Sequence, residues 1–215
     1  MKTEEKMETK IVYFEKSGEE NTDEVLALAK QRARELGIKT ILVASTSGNT
    51  AVKAVDVFKG LKVVAVTHCF GAREPNTLEF TGENRKIVES KGGKILIATH
   101  GFGGINQALQ SGRMPPPGAT PPPPGGMPPG GMPPARTNTI GEIVTSTLGV
   151  FGRGIKVACE ITTMAADAGL VRTDEDIISI GGTHSGADTA IVVQPSNAHR
   201  FFELKVKEII CKPRL

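Results

Sequence analysis

The chain has 215 residues, of which 39% are hydrophobic and 23% are charged, and its formal net charge is +3. This length allows one sizeable core and is short for two ordinary domains, so we expect a single domain over residues 1–215. The charges are interspersed, and no basic stripe alternates with aromatic residues, which argues against nucleic-acid partners. The charged start, MKTEEKMETK, is not followed by an apolar run, which argues against a signal peptide or a membrane partner and predicts a cytoplasmic protein.

The number and spacing of the cysteines exclude some kinds of structural site. The three cysteines, Cys69, Cys159 and Cys211, are widely spaced and form no CxxC pair. This pattern argues against a disulfide framework and against a structural zinc site. We therefore expect reduced thiols and no metal.

Strands and helices alternate along the first part of the chain. A short strand at 11–14 precedes a helix that ends at Gly37, and Asn21 and Glu24 are predicted to form a capping box at its start. Further strands are predicted at 40–45, 62–68 and 94–100, with helices at 50–58 and 83–93 between them. These strands are apolar throughout, which is typical of strands covered by helices on both faces. The alternation predicts right-handed crossovers and a parallel sheet.

Composition changes abruptly at residues 114–135, which hold eleven of the chain's 14 prolines together with many glycines. Proline lacks a backbone donor and glycine is flexible, so this stretch can neither pair in a sheet nor continue a helix. We predict a disordered Pro/Gly-rich insert. A tolerated surface loop and a ligand for a proline-binding partner both remain open.

The remaining elements follow the insert. Helical spacing predicts a helix at 140–151, and the apolar stretch IKVACEI at 155–161 is predicted as a strand that Glu160 nearly closes. Two strands at 177–182 and 189–194 flank a polar turn. A last strand is predicted at 206–211, at an edge of the sheet.

Polar side chains follow the predicted strands at the points where these end. The carboxyl ends of parallel strands meet at one rim, which is the usual ligand site of open α/β sheets. The stretches expected there are 16–22, 45–50, 67–73, 99–104 and 160–163.

The turn STSGNT is the most informative of these stretches. It consists of Ser45, Thr46, Ser47, Gly48, Asn49 and Thr50. Its hydroxyls and the free amides of the following helix suit a phosphate group. Alternatively, Ser47 or Asn49 only caps the helix. The turn is neither a Walker loop nor a dinucleotide fingerprint.

A second polar turn, GGTHSGADT, has similar ingredients. Its candidate binding residues are Gly182, Thr183, Ser185, Gly186, Asp188 and Thr189. It is either a simple hairpin loop or the second half of an anion site at the same rim.

The strand ends at 67–68 and 99–101 supply further candidates. His68 and His100 each follow a threonine, Thr67 or Thr99, and could bind a ligand, transfer a proton or hold a metal. A metal is disfavoured because no HxH, HExxH or carboxylate pair is present.

Two more residues at predicted strand ends are candidates. Gly101 begins GFGGIN, which departs from the dinucleotide fingerprint at Asn106 but suits a flat ligand. Glu160 either accepts hydrogen bonds from helix amides or contacts the ligand.

Several of these motifs together resemble a known domain. TILVASTSGNTAVKAVDVFKGLKVVAVTH and THSGADTAIVV resemble the two effector loops of the C-terminal α/β domain of pyruvate kinases. KIVYFEKSGEENTDEVLALA, VACEITTMAADAG, GGTHSGADTAIVVQP and FFELKVKEIICKPR resemble a stand-alone archaeal and bacterial family that is built on this domain alone and is associated with flavin mononucleotide (FMN). The resemblance implies a three-layer α/β fold, with a mostly parallel sheet of about five to seven strands, one antiparallel strand and helices on both faces. It also implies phosphate binding at 45–50.

The resemblance implies no pyruvate kinase activity, because the barrel that carries the active site of that enzyme is absent. Three functions remain open: an FMN-binding protein that could serve as an oxidoreductase, a regulatory module that binds a phosphorylated metabolite, and an interaction scaffold that uses the insert. Asn49 stands where many kinases have a basic residue, which favours a single phosphate, as on FMN. Apolar edge strands would allow self-association.

Overall fold

The computed structural model describes residues 8–103 and 139–214. In this part of the chain seven strands form: β1 (Val12–Phe14), β2 (Thr40–Ala44), β3 (Lys62–His68), β4 (Lys94–Ala98), β5 (Ile177–Gly181), β6 (Thr189–Gln194) and β7 (Lys205–Pro213). The helices are α1 (Thr22–Leu36), α2 (Asn49–Val57), α3 (Gly82–Ser90), α4 (Ile140–Gly149) and α5 (Arg153–Asp167), with short 3₁₀ helices at Glu19–Asn21 and Ala198–Glu203. The predicted insert at 114–135 lies outside the described residues.

The strands form one sheet in the order β1-β7-β6-β5-β2-β3-β4. β6 is antiparallel to both of its neighbours, and the other neighbouring pairs are parallel. The predicted mostly parallel sheet with one antiparallel strand is therefore confirmed. The carboxyl ends of β1 to β5 and of β7 lie on one rim, and β6 begins at that rim.

Helices cover the sheet on both faces, as predicted. On one face α1, α2 and α3 pack on alternate strand residues such as Ile41 and Val43. On the other face α5 packs on the intervening residues, among them Leu42 and Val64. Because successive side chains of a strand point to opposite faces, each central strand contributes to both cores. The result is a three-layer α/β/α arrangement.

The strand predicted at 155–161 is wrong, because these residues belong to helix α5. Ten of its fifteen residues are buried, from Gly154 to Ala166. A helix buried on most of its surface loses the polar stripe that reveals helical periodicity, and β-branched residues such as Ile155 and Val157 then favour a strand interpretation. The correction moves Glu160 from the end of a strand to the middle of a helix, so 160–163 is not a loop at the rim.

The last strand also differs from its prediction, because β7 is not at an edge. It lies between β1 and β6, pairing Cys211 with both Val12 and Ala190. The short strand β1 covers β7 and forms one edge of the sheet, while β4 forms the other.

The start of α1 differs from its prediction as well. The side chain of Asn21 accepts no capping hydrogen bond, so the predicted capping box with Glu24 does not form. Instead, Asn21 Nδ2 donates to the carbonyl oxygens of Lys16 and Gly18, which holds the preceding loop. The helix ends at Gly37 in the left-handed conformation, as predicted.

The helix predicted after the insert is confirmed as α4, which starts with a capping box between Thr139 and Glu142. Its apolar side chains are largely uncovered by the described residues, with Ile140 and Ile143 exposed. Among the described helices, none combines the length and apolar character that crossing a membrane requires.

Candidate functional site

The sheet topology gathers the predicted site residues at one rim. β5 pairs with β2, β2 with β3 and β3 with β4, so the turns at 182–188 and 45–50 and the two histidines follow four neighbouring strands. His68 is the register partner of Ala98, two residues before His100. Thr67, in β3, donates its hydroxyl to the carbonyl oxygen of Thr46 in the turn after β2 at 3.1 Å.

The turn at 45–50 leads directly into helix α2. Gly48 is the N-cap residue with φ 98°, and no side chain caps at that position. The alternative of a capping side chain holds in part for Ser47, whose Oγ accepts a long hydrogen bond from the amide of Asn49 at 3.5 Å, and not for Asn49, whose Oδ1 accepts from Asn84 Nδ2. The buried Oγ of Ser45 accepts a further hydrogen bond, from the amide of Ala51 at 3.2 Å.

Helix α3 braces this turn from one side. Asn84 Nδ2 donates to the carbonyl oxygen of Ser47 at 3.0 Å and to Asn49 Oδ1 at 2.9 Å. A Cβ atom on Gly48 would lie 2.6 Å from Asn84 Cβ and 2.8 Å from the ring of Phe80. The absence of a side chain at Gly48 thus allows α3 to pack closely against the turn.

Two hydroxyls of the turn remain available to a ligand. Thr46 is half-buried and Thr50 is 6% exposed. Within the described residues, neither hydroxyl makes a hydrogen bond. They lie at the N-terminus of α2, which carries about half a positive charge. The amides of Asn49 and Ala51 donate to Ser47 and Ser45, and within the described residues the amide of Thr50 makes no hydrogen bond. An oxyanion is the group that such a site accommodates.

The second turn is organised around Asp188, which is completely buried. Its Oδ2 accepts hydrogen bonds from the amides of Gly18 at 3.2 Å and Thr183 at 3.0 Å, and its Oδ1 accepts one from Thr189 Oγ1 at 2.8 Å. The carboxylate therefore ties the turn to the loop after β1. These contacts with protein groups give Asp188 a structural role in the turn.

The other residues of this turn also contact the loop after β1. Ser185 Oγ donates to Glu19 Oε2 at 3.1 Å. A Cβ on Gly186 would collide with the backbone of Glu19, and Gly186 has φ 71°. Gly182 likewise lies against the backbone of Gly186. The predicted hairpin between β5 and β6 is confirmed, and its accessible polar residues are the half-buried Thr183 and the exposed His184 and Ser185.

Helix α5 brings a second helix N-terminus to this rim. A Cβ on Gly154 would collide with Thr189 Oγ1 and lie 2.8 Å from Asp188 Oδ1, and a Cβ on Gly181 would lie 2.5 Å from the carbonyl oxygen of Gly154. Only glycine permits this contact. The N-termini of α2 and α5 therefore approach neighbouring strands β2 and β5 from opposite faces of the sheet.

Part of the chain matches a known protein family. Residues 23–111 match the family model of the pyruvate kinase alpha/beta domain. The matched stretch contains α1, the turn at 45–50 and both histidines of the rim, and it covers less than half of the chain. The predicted resemblance to the pyruvate kinase alpha/beta domain is confirmed over these residues. The turn at 182–189 and Glu160 lie outside the match.

Glu160 lies on α5 and is 3% exposed, yet it is an ionised carboxylate. Lys156 Nζ donates to Oε2 at 2.6 Å, the amide of Phe102 donates to Oε1 at 3.1 Å, and His100 Nδ1 lies 3.5 Å from Oε2. Burial by itself would raise the pKa of Glu160, but the hydrogen bonds and charges of His100 and Lys156 outweigh it and lower the pKa to about 2. Glu160 is thus held by hydrogen bonds, but not by those of helix amides as expected, because its one amide donor, Phe102, lies in the turn after β4.

The two histidines form one cluster within the region that matches the pyruvate kinase domain. Their ring centroids are 4.7 Å apart with an interplanar angle of 49°. His68 Nδ1 lies 3.1 Å from Glu79 Oε2, and Arg73 Nε lies 3.0 Å from Glu79 Oε1. Throughout the described ranges, no group of three or more histidine, cysteine or acidic residues is arranged to hold a metal ion.

Sequence reasoning missed Lys156, Glu79 and Arg73. Lys156 and Glu160 are four residues apart, a spacing that pairs side chains on a helix, so a helical interpretation of 155–161 would have revealed the pair. Glu79 and Arg73 lie in an irregular loop between β3 and α3, where spacing gives no such signal. Gly101 and Thr99 were predicted, and they lie beside this cluster. A Cβ on Gly101 would lie 3.2 Å from Met164 Cγ on α5.

Two depressions on the surface of the described residues lie away from this rim. One, of about 400 Å³, is lined by residues such as Leu28 and Glu208 beside β7. The other, of about 470 Å³, is lined by residues such as Asn197 and Arg200 at the opposite end of β6. The rim is the candidate functional site, because two helix N-termini, free hydroxyls and imidazoles lie together there.

Proposed function

We propose that this chain binds a phosphate-bearing ligand at the carboxyl rim of its sheet. The observation that supports the proposal most strongly is the turn at 45–50, where the hydroxyls of Thr46 and Thr50 meet the N-terminus of α2. Hydroxyls and helix amides are a common combination for phosphate recognition. The match of this stretch to the pyruvate kinase alpha/beta domain supports the same site.

FMN is our proposal for the ligand. Asn49 and the neighbouring hydroxyls supply neutral donors, which are sufficient for a single phosphate group. The imidazoles of His68 and His100 and the backbone at Gly101 would border the flavin ring. When bound, FMN supplies electron-transfer chemistry of its own, and the protein contributes binding and orientation. Oxidoreductase activity in the cytoplasm is the function that we infer from this ligand.

The competing function is that of a regulatory module that binds a phosphorylated metabolite without turnover. The match to the pyruvate kinase alpha/beta domain favours this regulatory function, because the kinase reaction takes place in a different domain, the barrel. The same rim would serve, with a sugar phosphate or nucleotide in place of FMN.

Purification separates these two proposals directly. A co-purifying yellow chromophore, or a flavin spectrum that changes on titration with FMN, would support the flavin proposal. A thermal-shift panel of FMN, sugar phosphates and nucleotides tests the competitor, because a ligand that binds only the native state raises the unfolding midpoint. Stabilisation by a sugar phosphate but not by FMN would overturn the flavin proposal and keep the phosphate site. No response to any member of the panel would overturn both.

A further inference from the structure

The carbonyl group of Ser47, in the turn before α2, is held by two donors from the start of α3. Asn84 Nδ2 donates to its oxygen at 3.0 Å, and the amide of Thr81 donates at 3.2 Å. Thr81 is also the N-cap of α3, because its Oγ1 accepts a hydrogen bond from the amide of Asn84 at 3.2 Å. Helix α3 therefore fixes the orientation of the peptide group between Ser47 and Gly48.

This orientation determines where the amide of Gly48 points. The C=O and N–H bonds of a trans peptide point in opposite directions, and the described residues contain no cis peptide bond. Since the carbonyl of Ser47 faces α3, the N–H of Gly48 points away from α3. Gly48 is buried, and its amide makes no hydrogen bond within the described residues. An unpaired amide in a buried residue is rare, so this N–H is a candidate donor to a ligand.

The backbone of the turn brings this amide together with that of Thr50. Gly48 has φ 98° and ψ −10°, and Asn49 begins the right-handed helix α2. A left-handed residue beside a right-handed one arranges successive amides around a concavity that binds anions. The amide of Thr50 is unpaired within the described residues, and Thr50 adds an unpaired hydroxyl although it is only 6% exposed. Two amides and one hydroxyl are thus available to one anion.

Asn84 also fixes the side chain of Asn49. The carbonyl of Ser47 can only accept hydrogen bonds, so the atom of Asn84 that faces it is the amino group. The atom of Asn49 that lies 2.9 Å from this amino group is therefore its oxygen, Oδ1. With Oδ1 occupied, the exposed Asn49 has its Nδ2 donor left for other partners. The turn consequently offers donors, which match an anion.

We propose that Asn84 is a positioning residue of the phosphate site. It holds the carbonyl of Ser47, and this contact turns the amide of Gly48 toward the phosphate group. The inference rests on the proposed function, because the phosphate is that of the rim ligand. It adds that phosphate affinity depends on α3, through a side chain that acts on the turn and does not itself contact the ligand.

Asn84→Ala tests this role, because it removes the donor and keeps the Cβ atom that packs on Gly48. We expect FMN to bind about tenfold more weakly and riboflavin, which lacks the phosphate, to bind unchanged. Asn84→Asp, which has the same size but no donor, should lose at least as much FMN affinity. Asn197→Ala is the matched control, since Asn197 is also half-buried and donates to Asp167 at 3.1 Å near the opposite end of the sheet. Unchanged FMN affinity in Asn84→Ala, or equal weakening of FMN and riboflavin, would overturn the positioning role.

Inorganic phosphate separates this inference from the flavin proposal. The amide signals of Gly48 and Thr50 in NMR spectra are expected to shift when phosphate is added to the native chain. Asn84→Ala should need about tenfold more phosphate for the same shift, whereas Asn197→Ala should not. A shift with phosphate in a chain that does not bind FMN would overturn only the flavin ligand. Equal phosphate responses of the native chain and Asn84→Ala would overturn only the positioning role, and no response of either amide to phosphate or FMN would overturn both this role and the phosphate site.

Discussion

Lys156 and Glu160 lie one turn apart on α5, and Lys156 Nζ contacts Glu160 Oε2 at 2.6 Å in a nearly buried position. The same carboxylate accepts the amide of Phe102 and faces His100. One side chain thus joins α5 to the segment that follows β4. The rim of the sheet is therefore held together by a buried charge, and its geometry depends on that charge.

Glu160→Gln is expected to reduce the free energy of unfolding by about 3 kcal/mol, because it leaves Lys156, whose side chain is only 16% exposed, without its counter-charge. Urea unfolding measures this effect. Glu89→Gln is the matched control, since Glu89 forms an exposed i,i+4 pair with Arg85. The control should cost less than about 1 kcal/mol. Equal losses of unfolding free energy in the two variants would show that the buried pair of Glu160 contributes no more than an exposed pair.

The same carboxylate predicts a pH dependence of stability. Glu160 has a pKa lowered from its usual 4.5 to about 2, so its charged form stabilises the folded protein above pH 4.5. This contribution is lost as the pH falls from about 4.5 to 2. The stability difference between the native chain and Glu160→Gln should therefore shrink over that interval. A difference that stays constant down to pH 2 would contradict the assigned charge state.

Substitutions of Asp188 test its structural role in the second turn. Asp188→Ala is expected to reduce the free energy of unfolding by about 3 kcal/mol, because it leaves the amides of Gly18 and Thr183 without acceptors. Asp188→Asn should cost only about 1 kcal/mol, since one amide oxygen can still accept from both. Asp174→Ala, at an exposed position, is the control. Unchanged stability of Asp188→Ala would mean that the carboxylate serves a ligand instead.

Gly48→Ala tests the close packing of α3 on the first turn. Both Gly48 (φ 98°) and Gly60 (φ 85°) have left-handed backbones, but a Cβ on Gly60 meets nothing within 4 Å. Gly60→Ala should therefore cost about 1 kcal/mol from backbone strain alone. Gly48→Ala should cost about 2 kcal/mol more, because its methyl group would overlap Asn84 and Phe80. Thermal unfolding of the two variants measures the difference, and equal shifts would contradict the packing.

Sequence patterns were sufficient for the elements that carry a clear stripe or an uninterrupted apolar run. Helix α1 buries Val25, Ala29 and Ala33 at helical spacing, and β2, β3 and β4 have the apolar runs of covered strands. The end of β3 was predicted correctly and the ends of β2 and β4 to within two residues, which was sufficient to place His68 and His100 at one rim. Local signals were strong in these regions because each helix there has one solvent-facing side.

The remaining features depend on long-range packing. Helix α5 is apolar on most sides because the sheet, α4 and the segment after β4 surround it. The spacing of its apolar residues in the sequence therefore does not indicate a helix. The position of β7 depends on the distant pairing with β1, which no local pattern reports. The partners of Glu160 are Lys156 on α5 and His100 and Phe102 in the segment after β4. Only folding brings these residues together.

The central claim is that a phosphate group binds at the N-terminus of α2, and the most direct measurement compares FMN with riboflavin, which lacks the phosphate. The native chain is expected to bind FMN more tightly than riboflavin, and Thr46→Ala/Thr50→Ala should weaken FMN binding by about 1–3 kcal/mol per lost hydrogen bond without changing riboflavin binding. Ser90→Ala, at the far end of α3, is the control. Equal affinity of the native chain for FMN and riboflavin, or an unchanged FMN affinity in the double variant, would contradict the claim.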